Sequence, residues 1–294
     1  MRNANENVSR VIFGTSQICR LVSNRNIQKV LHCAYDCGVR HFDTARMYGF
    51  GEAESKIRSF LKGRRDSCEI STKFGLKFNE PGYFKRKIFL LGRLFKSFFP
   101  IAARSTIQTV APKQYLDFSV DSTRKSVETS LRELGVESID YLFFHEPIMG
   151  SDIDQSIFLF LDDLVRSGKV KNYGMSGSLT EINSMEKYLG VFVYNKQFSS
   201  NILKDCKIAN NANNFCFNVI GSVLGAPGVK EKLMSKKIDK NKLVAALLMD
   251  RLINAGFNKV LFNSNRIDTI NKVIGIVNNF KMQDCHLIKE VLNY

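Results

Sequence analysis

Four side chains able to manage protons and charge stand in order along the first half of the chain: Asp43, Tyr48, Lys73 and His145. Asp43, Lys73 and His145 each close a short run of apolar and β-branched residues, and Tyr48 follows Asp43 by five positions in a Gly-containing loop. Such runs read as strands, so all four are expected at or just beyond strand ends. The set suits reduction of a carbonyl group, which leaves an alkoxide that must be protonated as it forms. A phenol titrates near pH ~10 and is a poor acid at neutrality, but an adjacent ammonium stabilises the phenolate and eases proton release. On this reading Tyr48 is the general acid and Lys73 tunes it. Asp43 holds Lys73 protonated and oriented by a charge-assisted hydrogen bond, and His145 polarises the carbonyl oxygen.

The elements that must position these groups alternate. Strands are predicted at 11–15, 39–44, 68–73, 141–145, 170–175, 191–197, 216–222 and 259–263. Helical spacing is clearest at 121–134, where Val127, Leu131 and Leu134 share a face, and at 154–166, where Ile157, Leu161 and Leu164 do the same. Helices are also expected at 242–255 and 266–279, and a weak one at 200–215. Eight strands alternating with helices predict a (β/α)₈ barrel over 1–294 as a single domain, with the chemistry at the carboxyl ends of its strands. Residues 77–119 exceed an ordinary connection and read as a lid-like insertion after the third strand.

FDTARMYGFGEAE at 42–54 resembles the aldo-keto reductase pattern of Asp, five residues to Tyr, then Gly-x-Gly and an acidic helix start. ISTKFG at 70–75 resembles that family's lysine strand, and SVETSLRELGVESIDYLFFHEP at 126–147 its histidine strand with the preceding helix. GKVKNYGMSGS at 168–178 and YNKQFSSNIL at 194–203 resemble the next two strands. The resemblance implies NADP(H) as cofactor, bound extended across the barrel mouth without a Rossmann fold, and a small-molecule carbonyl substrate. Carried over position by position, it places Asp43, Ser176 and Gln197 at the nicotinamide, with Gly177 where an asparagine usually follows. Gly221 occupies the place of a tyrosine or arginine beside the ring, which implies that the stacking platform is missing. VLFNSNRIDTINKV at 260–273 resembles the segment that clasps the 2′-phosphate, where Ser264 and Arg266 would hold the anion at a helix start.

Composition bounds the alternatives. With 43 basic and 28 acidic residues the net charge is +15, which favours anionic partners, but no nucleic-acid-binding motif gathers that charge. An anionic carbonyl substrate suits it; nucleic acid is not expected. No stretch reaches the ~18 apolar residues of a membrane span. The seven cysteines form no pair at zinc spacing and read as reduced thiols, with no metal site implied. Residues 1–10 lack the apolar stretch of a secretory signal, and the expectation is a cytoplasmic monomer. In the insertion, Phe84, Ile88, Leu91, Phe95 and Phe98 approximate a helical stripe opposite most of the basic residues at 85, 86, 87, 93 and 96. A lid helix is the preferred reading, and contact of 83–100 with an anionic membrane surface the other. Arg46 is either a solvated loop charge or a contact for an anionic substrate. His32, His41 and His286 read as structural, Glu146 as a rim carboxylate, and the basic run 230–242 as a solvated connection. A cofactor-binding regulatory module on the same barrel, with weak or no turnover, stands as the alternative function.

Overall fold

The computed structural model describes residues 4–21, 23–78, 114–151, 153–190, 195–199, 213–225 and 228–292. Its strands are, in chain order, β1 Val11–Gly14, β2 His41–Asp43, β3 Glu69–Phe74, β4 Leu76–Phe78, β5 Gln114–Leu116, β6 Ile139–His145, β7 Val170–Gly177, β8 Asn195–Ser199, β9 Asn213–Phe217 and β10 Lys259–Phe262. Eight of them close into a parallel barrel in the order β1-β10-β9-β8-β7-β6-β3-β2. The (β/α)₈ expectation is therefore met, and the order follows the chain around the barrel.

Two apolar layers hold it together. Between strands and helices lies the larger one, where Phe42, Ile70, Phe144 and Val170 on strands meet Leu31, Phe60, Val127 and Leu161 on helices, all buried. Inside the barrel, Ile12, Phe143 and Phe215 form a second, smaller cluster flanked by Tyr141 and Leu261. Alternate strand residues supply the two layers, because successive side chains on a strand point to opposite faces. The helix Val120–Leu134 starts where Ser119 Oγ accepts from Ser122 N–H and stops at Gly135, whose φ of 68° lets its N–H reach Leu131 O.

β4 and β5 pair antiparallel outside the barrel and form the two feet of the expected insertion. Gly75 makes the turn into this ribbon at φ 94°, and a Cβ there would lie 1.9 Å from the Phe118 ring. Residues 79–113, including the stripe at 83–100, lie outside the described residues, as do 200–212 of the weak sixth helix. Several strand and helix ends differ from expectation by a residue or two, and three differences matter more. Residues 213–215, assigned to that helix, belong to β9. The strand expected at 216–222 ends at Phe217, and 219–224 is the helix Val219–Leu224, because Asn218 adopts φ 58° and breaks the extended chain. The basic run 230–242 carries the helix Val229–Ser235, anchored by buried Val229. Among the described residues no helix is long and apolar enough to cross a membrane.

Candidate active site

Strand register brings the site together. Asp43 on β2 pairs with Ser71 on β3, His145 on β6 with Ser176 on β7, and Ser176 with Gln197 on β8. Residues paired across parallel strands point the same way, so these side chains converge at the carboxyl ends. Lys73, two residues beyond Ser71, adopts the same side.

Asp43 is the hub. Its Oδ2 accepts from Lys73 Nζ at 2.7 Å, and its Oδ1 accepts from Ser71 Oγ at 2.8 Å and Gln197 Nε2 at 3.1 Å. Lys73 also donates to Thr44 O at 2.8 Å, and its ammonium lies 5.0 Å from the centre of the Tyr48 ring. Ser176 Oγ donates to Gln197 Oε1 at 2.7 Å. Tyr48 opens the turn Tyr48–Gly51, and its ring stands edge-on to His145 with centroids 5.9 Å apart. Asp43, Tyr48, Lys73, His145, Ser176 and Gln197, with Gly14, Ser16, Gln17, Glu146, Phe217, Asn218, Leu261 and Asn263, line a cavity of about 290 Å³.

Burial and charge set the protonation states. Burial pushes the Tyr48 phenol above its usual value, against the pull of the Lys73 ammonium. For Lys73, burial works against the charge, but Asp43 and Tyr48 outweigh it and the ammonium lies above the ordinary lysine value. Burial first, and the Lys73 cation second, hold His145 well below the usual histidine value. At neutral pH the site therefore presents a phenol, an ammonium paired with Asp43 and a neutral imidazole around one cavity. A neutral imidazole offers an N–H donor, and the phenol a proton backed by a cation.

The expected cluster of Asp43, Tyr48, Lys73 and His145 is assembled, and Ser176 and Gln197 join it as buried neighbours. Asn263 closes the far wall; Ser264 and Arg266 follow it outside the cavity, where Ser264 Oγ accepts from Arg266 N–H at 3.1 Å as the helix Ile267–Asn278 begins. Gly221 lies in the helix Val219–Leu224, a turn beyond the strand end, and the residue that β9 delivers to the cavity is Phe217. The strand end expected near Gly221 is thus at Phe217, four residues earlier. Ser71 was also unmarked by the sequence reading, since a serine two residues before the lysine carries no signal until β2 and β3 are paired. Arg46 is not a free loop charge and does not line this cavity: partly exposed, it donates to Glu54 Oε2 at 2.9 Å, and Glu54, fully buried, accepts at Oε1 from Thr72 Oγ1 at 2.8 Å. Glu146 stands exposed on the cavity rim at φ 51°. His32 packs edge-on to Phe60, and His286 caps Gln283 O at the surface.

Fold and site together define a (β/α)₈ barrel protein with an acid–base cluster at its mouth. The sequence matches the Aldo/keto reductase family model over residues 10–220, and the chain belongs to that family. D-threo-aldose 1-dehydrogenase of Pseudomonas sp is 28% identical over 169 residues, 55% of this chain and 47% of that protein. Pyridoxal 4-dehydrogenase of Microbacterium luteolum is 25% identical over 171 residues, 52% of this chain and 46% of that one. The chain spans about half the length of the curated relatives it matches. Among solved structures, the holo form of an aldo-keto reductase from Bacillus halodurans superposes with a TM-score of 0.71 at 17% identity, covering 97% of this chain and 92% of that one. An aldo-keto reductase from Klebsiella pneumoniae in complex with NADPH gives 0.66 at 15% identity, covering 97% and 90%. At these identities the likeness is one of fold.

Proposed function

We propose that this chain is an NADP(H)-dependent reductase of small aldehydes or ketones, with Tyr48 as general acid. The observation that carries this reading is the buried Asp43–Lys73 pair, set beside the Tyr48 ring and facing a cavity with His145. His145, neutral, donates its N–H to the carbonyl oxygen and draws electron density from the carbon. As charge builds on that oxygen, Tyr48 gives up its proton, and Lys73 stabilises the phenolate left behind. Asp43 keeps Lys73 charged and in place. All four groups come from one chain, so the chemistry needs no group from a second copy.

The residues present fit a nicotinamide cofactor. Ser176 and Gln197 bring a hydroxyl and an amide, the chemistry that pairs with a carboxamide, to the cavity floor. Phe217 brings an aromatic ring to the same cavity. Asn263 leads out of it to Ser264 and Arg266 at a helix start, a combination suited to the 2′-phosphate of NADP(H). The bound cofactor supplies the hydride. Support also comes from relatives named as dehydrogenases and reductases of sugars and pyridoxal, and from the NADPH-bound Klebsiella pneumoniae structure. The net charge of +15 suits a substrate that carries negative charge.

NADPH titration by fluorescence quenching, followed by nicotinamide absorbance with a panel of aldehydes, tests the reading. Tyr48→Phe is expected to keep binding and lose turnover by roughly 10²–10⁴-fold, the range for removing a general acid. Binding by the unaltered protein with no turnover on any carbonyl would instead support the regulatory, cofactor-binding module.

A further inference from the structure

Beneath the cluster a second line of polar groups runs through the barrel towards its opposite end. His41 opens β2 and is fully buried, its ring stacked on Tyr141 at 5.4 Å and edge-on to Phe215 at 5.8 Å. Its Nε2 lies 3.1 Å from Ser71 Oγ, and Ser71 Oγ lies 2.8 Å from Asp43 Oδ1. Its Nδ1 lies 3.2 Å from Lys259 Nζ and 3.2 Å from Glu69 Oε2. Lys259 is ion-paired with Glu69, whose side chain is 43% exposed. An unbroken series of polar contacts thus joins a carboxylate at the amino ends of the strands to the Asp43–Lys73 pair at their carboxyl ends. Phenylalanine would satisfy the aromatic neighbours of His41 alone; the imidazole nitrogens are what the polar line uses.

Counting hydrogens decides how the line is wired. The Ser71 hydroxyl has one proton and two acceptors within reach, Asp43 Oδ1 and His41 Nε2. If the proton pointed at His41, two lone-pair-bearing oxygens would face each other at 2.8 Å in a buried site, one of them charged. The proton therefore points at Asp43, and His41 Nε2 must carry a hydrogen to satisfy the serine oxygen. His41 Nδ1 is then an acceptor, met by Lys259 Nζ at 3.2 Å, whose positive charge offsets the Glu69 carboxylate that lies at the same distance. The imidazole is neutral: burial outweighs the nearby carboxylates of Glu69 and Asp43 and, with the Lys259 cation, holds it below the usual histidine value. Glu69 and Ser71 from β3, Lys259 from β10, Tyr141 from β6, Phe215 from β9 and Asp43 from β2 are the groups that face it.

We propose that His41 is a positioning residue for the Asp43–Lys73 pair, acting through Ser71, whose hydroxyl its Nε2–H orients to donate to Asp43 Oδ1. The inference rests on the reductase reading for its consequence. Asp43 holds its charge with three donors, Lys73, Ser71 and Gln197. With the serine donor withdrawn, more of the Asp43 charge is left uncompensated; it draws the Lys73 ammonium more tightly to itself and repels the Tyr48 phenolate, which loses part of its stabilisation. Tyr48 then ionises at higher pH.

The test is the ionisation of Tyr48 in the intact protein, followed by phenolate absorbance against a Tyr48→Phe blank, in the unaltered protein and in S71A, H41F and H41Q. S71A and H41F are expected to move it upward by about half a unit to one unit, the scale of one hydrogen bond to a charged group. H41Q, whose amide N–H can stand in for Nε2–H, is expected to return it towards the original value. The alkaline limb of turnover should move with the titration, and ¹⁵N shifts of the His41 ring should report the Nε2–H tautomer. An unmoved Tyr48 titration in S71A, or an Nδ1–H tautomer in the unaltered protein, overturns the proposal. S71A removes a single oxygen and carries the test should H41F fail to fold. A protein without turnover counts against the reductase reading alone, since the phenolate titration and the ring shifts decide the role of His41 without it.

Discussion

Lys73 Nζ and Asp43 Oδ2 are 2.7 Å apart, and neither side chain exposes more than 3% of its surface. A pair this dry holds its geometry only while both charges are present, because removing one leaves the other uncompensated. Asp43→Asn preserves the shape and removes the charge. It is expected to destabilise the fold by about 3–5 kcal/mol, read as a lower urea midpoint, and to abolish turnover by letting Lys73 lose its proton. An unchanged midpoint would show that the pair is not buried as described.

Arg46 and Glu54 make a different prediction. Glu54 is fully buried and Arg46 keeps a quarter of its side chain in water. Arg46→Met should therefore cost about 2 kcal/mol, for stranding a buried carboxylate that retains Thr72 as donor. Its KM for a carboxylated aldehyde should stay within about twofold, the arginine's role being structural. A large rise in KM with unchanged stability would restore the substrate-binding reading of Arg46.

The cofactor floor can be changed in both directions. Phe217→Ala removes the aromatic ring from the cavity and is expected to weaken NADPH binding about 3- to 10-fold, the scale of a ring contact. Gly177→Asn should be accommodated, because a Cβ there meets nothing closer than 3.7 Å, and one added amide contact should tighten binding by a few-fold. Fluorescence titration reads both. A weaker Gly177→Asn protein would mean that the floor is complete with Ser176 and Gln197.

Acid should weaken the fold before it titrates most carboxylates. His145 and His41 are both held below the ordinary histidine value by burial, so between their folded values and about pH 6.5 the unfolded chain binds more protons. Their contribution is full above about pH 6.5 and is lost as pH falls below it. Urea midpoints should be level from pH 8 to 7 and decline towards pH 5, less steeply in His145→Asn. Turnover should correspondingly show no limb near pH 6.5 from His145, which is already neutral there. A level midpoint down to pH 5 would contradict the assignment of two buried neutral imidazoles.

The boundaries that sequence reasoning misplaced have local causes with tertiary consequences. CFNVIGS reads as one β-branched run, yet Asn218 at φ 58° ends the strand and starts a helix. A side chain that tolerates the left-handed region looks like any polar residue in a strand, so the shift from Gly221 to Phe217 at the cavity was not legible. The helix Val229–Ser235 was hidden by its lysines, which suggested solvent while Val229 supplied the burial.

What the sequence by itself determined was the set Asp43, Tyr48, Lys73 and His145 and the end of the barrel they occupy. Strand runs, turn residues and alternation are local signals, and in a parallel barrel every strand end of one kind lies on one face. Only the tertiary structure decided which of those ends touch. The register Asp43–Ser71 and His145–Ser176–Gln197, the wiring of His41 to Asp43 and the capture of Arg46 by Glu54 depend on how separate strands and helices align once the barrel closes. A shift of one residue in any pairing would turn these side chains to the opposite face without altering the local patterns that announce the strands.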